Sequence, residues 1–346
     1  MTNNTPAALR AARLSSTLRD RDLAAELGVT EAALLAAQTG ADVVRIDSGV
    51  DRLIPAVQEL GEVMALTRND STVHERVGRY LDFRPGNHAA GVFGPEIDLR
   101  LFPAHWCHAF AVTRQTERGT TRSVQVFDAA GDAVHKVHLR EGSDVGAFQR
   151  LIDTLRLDLQ DDGFAADPRK PAEELRTNPE KLDELREAWR RMTDTHQFMR
   201  LTGRLGMNRL GAYRGVGAPF VRALDPRLSG DLLRRLAETG QEVILFVGNR
   251  GCIQIHWGPV ERIVPSGPWI NVLDPRFNLH LRADRVAEVW AVEKPTRRGP
   301  ALSVEAFDKD GTLLYQIFGK RNETEDHTES WARLVAELPD AAEVPA

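Results

Sequence analysis

The sequence predicts an α+β protein built as a tandem structural duplication: two antiparallel-sheet units with helices at their ends. Three observations carry that prediction. Shifted by 180 residues, Asp51 to Glu141 falls without a gap on Asp231 to Arg321, and within residues 97–139 against 277–319 twelve positions are identical. They include Leu99/Leu279, Thr116/Thr296, Gly119/Gly299, Ser123/Ser303, Phe127/Phe307, Asp128/Asp308 and Gly131/Gly311, where chance at ordinary residue usage gives about two or three. A second match, offset by 178, joins Leu23, Leu27, Gly28, Val43 and Asp47 to Leu201, Leu205, Gly206, Val221 and Asp225. Third, each copy runs from helical spacing through short β-branched segments to a closing helix. Solenoids repeat every 20 to 50 residues or so, and this period is far longer, so a whole domain is doubled.

Residues 5–40 read as helical, with Leu14, Leu18, Leu23, Leu27, Leu34 and Leu35 near helical spacing and Gly28 and Gly40 as stops. From Val43 the period shortens to that of strands: VVRI, EVMALTRN, IDLRLF, CHAFAVTRQ, TRSVQVFD and AVHKVHL, divided by Pro85-Gly86, Gly94-Pro95 and the turn at Asp128–Gly131. A helix near Val145 to Leu155 closes the unit. The second copy repeats the order, with helices around 196–215, strands EVILFVGN, CIQIHW, FNLHLR, VAEVWAVE, ALSVEAFD and LLYQIFG, and a last helix near Glu329 to Leu338. Between the copies, Asp161 to Thr177 is an acidic, proline-bearing loop, and Asn178-Pro179 starts a helix. The expected boundaries are 1–160 for the first unit, 161–190 for linker and helix, and 191–346 for the second unit.

The chain has 346 residues, 42% hydrophobic and 27% charged, with a net charge of −5. That is the composition of an ordinary globule. No basic surplus exists to hold phosphate backbones, which argues against nucleic acid as a partner. Cys107 and Cys252 are too few for a disulfide framework or a four-thiolate metal site. The N-terminal stretch lacks an apolar signal-peptide core and no run approaches 18 apolar residues, so a cytoplasmic location is expected.

Because a duplicated scaffold can lose a group in one copy and keep it in the other, differences between the copies point to chemistry. RDLAAELGVTEAALLAAQTG has the outline of a helix-turn-helix, or equally of a helical hairpin packed on a sheet; its second helix offers no Arg, Lys or Asn to a base edge. His105-Trp106-Cys107-His108 is dense in metal-ligand types, but on a strand His105 and Cys107 face away from His108. His196, in MTDTHQFMRL, reads either as a capping group or as an axial ligand. Its counterpart is Leu18, and Arg204 and Arg209 follow on the next turns, which suits an imidazole on a haem iron with guanidinium groups on the carboxylates. Lys294, Lys320 and Arg321 add cations from the last strands; Lys294 pairs with Arg114, while Arg321 pairs with Glu141.

Together with the duplication, RDLAAELGVTEAALLAAQTG, GPEIDLRLFPAHWCHAFAV, MTDTHQFMRL, GNRGCIQIHWGPV, FNLHLR and SVEAFDKDGTLLYQIFGKR resemble the cytoplasmic haem-utilisation proteins of bacterial haem-uptake systems, the hemin-degrading factors of HemS/ChuS/HmuS type. The resemblance covers nearly the whole chain. It implies His196 as the proximal ligand to haem iron, Arg100 over the distal face, and Arg209, Lys294, Gln316 and Arg321 on the propionates, with haem between the two halves. The family commonly has a tyrosine where this chain has Phe318, which removes one hydroxyl donor. An apolar slot from Phe246, Val247 and Phe318 agrees with such a ligand. The resemblance implies haem-degrading activity with catalytic roles for Arg100 and His196, haem serving as cofactor or as substrate. The other reading is a carrier that delivers haem to a separate oxygenase. Its expected partners are haem, an inner-membrane haem ABC transporter or a downstream oxygenase, and an external electron donor, since no GxGxxG joins a strand to a helix.

Overall fold

The computed structural model describes residues 4–40, 42–117 and 119–342. In chain order the first copy contains α1 (Pro6–Ser15), α2 (Asp20–Leu27), α3 (Glu31–Ala36), β1 (Val43–Ile46), α4 (Val50–Gln58), β2 (Gly61–Arg68), β3 (Thr72–Gly78), β4 (Phe83–Arg84), β5 (Ala90–Val92), β6 (Asp98–Leu101), β7 (His108–Thr116), β8 (Gly119–Phe127), β9 (Ala133–Ser143) and α5 (Val145–Leu155). The second contains α6 (Leu182–Arg190), α7 (Gln197–Arg204), α8 (Arg209–Val216), β10 (Val221–Leu224), α9 (Ser229–Thr239), β11 (Val243–Gly248) and β12 (Cys252–Gly258). There follow β13 (Ile263–Ser266), β14 (Trp269–Leu273), β15 (Phe277–Arg282), β16 (Glu288–Lys294), β17 (Ala301–Phe307), β18 (Leu313–Gly319) and α10 (Thr328–Ala336). None of these helices is long and apolar enough to cross a membrane.

The chain forms two compact units that do not follow a single cut. The first comprises the chain up to Arg68, His74–Lys170 and Gly248–Ile255; the second comprises Asn69–Val73, Pro171–Val247 and the chain from His256. The expectation of contiguous units at 1–160 and 191–346 therefore misses two short segments, each assigned to the unit of the other copy. The start of β12 explains one of them. Cys252, Ile253, Gln254 and Ile255 pair antiparallel with Leu101, Arg100, Leu99 and Asp98 of β6, and Cys252 is buried in the first unit's core.

Within the first unit five antiparallel strands lie in the order β1-β7-β8-β9-β2, and within the second the order is β10-β16-β17-β18-β11. The 180-residue offset also holds in register: Gln125 faces Phe110 and Lys136 across the sheet, and Glu305 faces Trp290 and Gln316. The repeated identities fix repeated turns. Asp128 accepts the amides of Ala130 and Asp132 while Gly131 takes φ +81°; Asp308 accepts those of Asp310 and Thr312 while Gly311 takes φ +77°. A side chain at either glycine is disfavoured because that backbone is left-handed.

Helices α4 and α5 bury Leu53, Ile54, Val57, Phe148 and Leu151 against β2, β7, β8 and β9, and α9 and α10 do the same on the second sheet with Leu232, Leu236, Trp331 and Val335. Burying each such side chain contributes about 1.5–3 kcal/mol. The opposite side of each sheet carries the helices before its first strand. In the second unit α6, α7 and α8 form one cluster with Trp189, Phe198, Leu201, Tyr213 and Trp290.

Two expectations meet the structure here. The would-be recognition helix α3 is six residues long and buries Glu31, Ala32, Leu34, Leu35 and Ala36, so those residues pack instead of presenting a reading surface. His105 lies in a 3-10 turn, Pro103–His105, and the strand begins only at His108. The cause is Trp106, which is buried and donates its indole N–H to the Gly251 carbonyl at 2.9 Å.

Candidate functional site

His196 stands just before α7 with its side chain 94% exposed. Its Nδ1 lies 2.7 Å from Asp194 Oδ1, which also accepts the His196 amide at 2.8 Å. Those two bonds hold the Asp194 carboxyl below its ordinary value. An ionised carboxylate only accepts, so Nδ1 is the donor in this pair and Nε2 is the nitrogen that remains for a metal, with the carboxylate fixing ring orientation. The loop is tied down: the Arg297 amide donates to the Thr193 carbonyl at 3.0 Å, and Gln197 Oε1 accepts the Thr193 amide at 2.9 Å.

Helix α7 turns Phe198 inward, edge-on to Trp189 at 5.0 Å and stacked on Tyr213 at 5.5 Å. Over the Phe198 ring lie the Lys294 ammonium at 4.8 Å and the Arg209 guanidinium at 5.8 Å. Arg209 is the first residue of α8, whose cap is Asn208; the cap's side chain accepts the Gly211 amide at 2.9 Å, an interaction that contributes about 1 kcal/mol.

Arg209, Lys294 and Tyr213 converge on Glu305, which is fully buried. Oε2 accepts from Arg209 Nη1 and from the Tyr213 hydroxyl, each at 2.8 Å; Oε1 accepts from Lys294 Nζ at 3.0 Å and from the Ser303 hydroxyl at 2.8 Å. Burial alone raises the Glu305 pKa, but Lys294 and Arg209 outweigh it and hold the carboxylate ionised. For Lys294, burial lowers the pKa and Arg209 adds to the fall, while Glu305 opposes it. Burial also works against Arg209, yet Tyr213 and Glu305 keep its pKa above the ordinary value.

The neighbouring sheet surface is apolar. Phe246 and Phe318 meet edge-to-face at 5.6 Å, and Gln316 lies across the strands from both Phe246 and Glu305. Val247 is not part of this face: it is buried in the core under the opposite side of the sheet, because neighbouring strand residues point to opposite sides. Arg321 bonds Asp326 at 3.1 Å.

Of the expected site residues, the structure brings Arg209, Lys294 and Gln316 around Glu305 and places His196 two residues from the Phe198 ring that both cations overlie. Lys294 is only 3% exposed and spends its donors on Glu305 and Tyr213. In the first unit Arg100, on β6, is ion-paired with Asp98 and lies over the Phe93 ring at 4.4 Å. Sequence reasoning missed Asp194, Glu305 and Tyr213. The signal for Glu305 was present, since its counterpart in the other copy is the neutral Gln125.

The first unit buries a related cluster from different positions. Glu31, at the place of Arg209, bonds Arg68 at 2.7 Å and Lys136, which stands at the place of Gln316. Among the described residues, the group Glu242, Glu325 and His327 has metal-like spacing, but the Lys320 ammonium already joins both carboxylates at 2.5 and 2.6 Å.

Fold and site define a duplicated α+β protein whose second unit offers a carboxylate-oriented imidazole, a buried cationic cluster and an aromatic sheet face. Residues 28–155 and 206–338 each match the Haemin-degrading HemS.ChuX domain, and the chain belongs to that family. It is 38% identical over 327 residues to the hemin transport protein HmuS of Yersinia pestis, covering 92% of each chain. The crystal structure of holo-PhuS, a heme-binding protein from Pseudomonas aeruginosa, superposes with a TM-score of 0.91 at 43% identity, covering 97% of this chain and 99% of that one. The heme-degrading enzyme ChuS of Escherichia coli O157:H7 superposes at 0.87 with 32% identity, covering 98% and 99%.

Proposed function

We propose that this protein binds haem in the cytoplasm as part of haem uptake, with His196 as the axial ligand, and opens the porphyrin ring with electrons from an external donor, releasing iron. The observation that carries the reading is the Asp194–His196 pair, an exposed imidazole whose outer nitrogen is left free while its inner one is locked by a carboxylate. The residues present fit the group: an imidazole for iron, Arg209 and Arg321 for the two carboxylates, and Phe246 and Phe318 for the macrocycle. Relatives described as heme-binding and heme-degrading support the same reading. Haem supplies the redox chemistry as substrate, and the protein's part is to orient it and exclude competing reactions. Arg100, whose guanidinium is held by Asp98, is the candidate distal donor.

The test is to load the protein with hemin and follow the Soret band under air with a reductant and catalase. Loss of the band with iron release supports the enzyme. A complex that stays intact and empties only into a partner oxygenase establishes the carrier instead. Arg100→Ala should weaken hemin binding by no more than about 10- to 150-fold, since one charge-assisted bond contributes about 1.5–3 kcal/mol at most, while slowing turnover. Unchanged turnover removes Arg100 from the chemistry.

A further inference from the structure

Glu305 has no capacity left for a ligand. Its two oxygens already accept four donors, from Arg209, Tyr213, Lys294 and Ser303, which fills the lone-pair sites of a carboxylate. It nonetheless governs the groups that do have capacity. Two cations share this one carboxylate, so the cluster keeps a surplus of one positive charge. Lys294 is sealed at 3% exposure, whereas the Arg209 side chain remains 23% exposed. Only Nη1 of Arg209 is engaged by Glu305; Nη2 lies beside Met199 Sδ at 3.5 Å, and Met199 is itself exposed. The surplus charge therefore emerges along the outer edge of Arg209.

We propose that Glu305 is the positioning residue of the carboxylate-holding end of the site: it aims Arg209 outward and keeps Lys294 charged beneath it, so that a planar apolar dicarboxylate meets a preset cation. This rests on the haem-binding reading and names the group that makes its acid end selective. The groups facing Lys294 are Glu305 and Ser303 from β17, Arg209 and Tyr213 from α8, and the Phe198 ring from α7. Glu305 is the anion among them. Without it, burial and Arg209 both drive Lys294 toward its neutral form, and Arg209 loses the bond that fixes its direction. The duplication supports the assignment. The first unit has Gln125 at this strand position and carries its carboxylate on the helix, as Glu31.

The experiment compares hemin with its dimethyl ester by Soret titration from pH 6 to 9. Wild type should show a preference for the diacid that is flat with pH. Glu305→Gln should lose that preference about tenfold or more at pH 8 to 9 and regain part of it at pH 6, as Lys294 takes up a proton, while ester affinity stays within about threefold. A flat, undiminished diacid preference in Glu305→Gln overturns the proposal, and so does an equal loss for the ester, which reports a folding effect. If that variant does not fold, a charge-balanced pair carries the test, because a buried ion pair replaced as a unit is often tolerated. Lys294→Met alone leaves Glu305 cancelling Arg209 and should lose the diacid preference. Adding Glu305→Gln returns a net positive charge but leaves Arg209 without the bond that aims it, so the preference should stay lost; restoration in the double variant overturns the proposal. A wild type that takes no hemin defeats the haem reading itself, whereas hemin binding without any diacid preference defeats only this inference.

Discussion

Arg209 and Glu31 hold the same position in the two copies and carry opposite charges. Each is the first residue of a helix whose preceding residue, Asn208 or Thr30, caps it by accepting the amide three residues on. In each copy a carboxylate is shared by two cations, Glu31 by Arg68 and Lys136 and Glu305 by Arg209 and Lys294, yet only the second copy has a cation on the helix. A propionate approaching the first copy there meets Glu31 instead of a guanidinium, and Leu18 stands near where the second copy has His196. One tightly held haem per chain is therefore expected. Leu18→His should not add a second, as judged by hemin titration with bound-iron counts; two equally tight haems in wild type would sink the assignment of His196 as sole ligand.

The Asp194–His196 pair gives a graded prediction. His196→Ala removes the iron bond but keeps the aromatic face and the cations, so hemin should still associate with a shifted Soret band and an altered ligand-field spectrum. Asp194→Asn keeps the imidazole and loses the charge that orients it, which should weaken hemin binding about 10- to 100-fold. A spectrum untouched by His196→Ala moves the ligand elsewhere.

Arg209 and Arg321, the two proposed propionate partners, come from different segments, α8 and the strand end after β18. Replacing either with a neutral residue should cost about 1.5–3 kcal/mol of hemin binding, the usual worth of a hydrogen bond to a charged group. The dimethyl ester should be nearly indifferent to both changes. Equal sensitivity of diacid and ester would show that the arginines act on folding.

The sequence made the duplication, most strands of both meanders and the helix at Val145–Leu155 legible, because those segments bury one face and show a clean period. Helix α4 was missed although Val50, Leu53, Ile54 and Val57 are spaced for it. Pro55 lies inside and reads as a breaker, and tertiary packing of the apolar stripe overrides that signal. The exchanged segments Asn69–Val73 and Gly248–Ile255 could not be seen, since pairing between distant strands leaves no local pattern. In the site, the cations were legible as residue types and the Glu305/Gln125 difference was there to be read, but their convergence was not. Glu305 sits in SVEAFD, where alternation marks only a strand face, and nothing in the sequence says that Arg209, 96 residues earlier, folds over it.

The last prediction concerns acid stability of the first unit. His135 is 1% exposed, between the Tyr80 hydroxyl at 2.5 Å and the Thr67 hydroxyl at 2.8 Å. Burial, reinforced by His138, lowers its pKa to about 3; burial, with Lys136 adding to it, lowers that of His138 to about 4. In the unfolded chain both return to about 6.5. Below that pH the unfolded state binds two protons that the folded state refuses, so the stability is present above pH 6.5 and is lost as pH falls toward 4 and 3. Between pH 7 and 5 the loss should approach about 2 kcal/mol per histidine. The depressed carboxylates Glu31 and Glu305 add their own loss only below about pH 4.5, which leaves this window to the histidines. Urea unfolding at pH 7 and pH 5 should show the drop in wild type and a drop smaller by about 2 kcal/mol in His135→Gln. An identical pH dependence in the two proteins would mean that His135 is not held neutral by the fold.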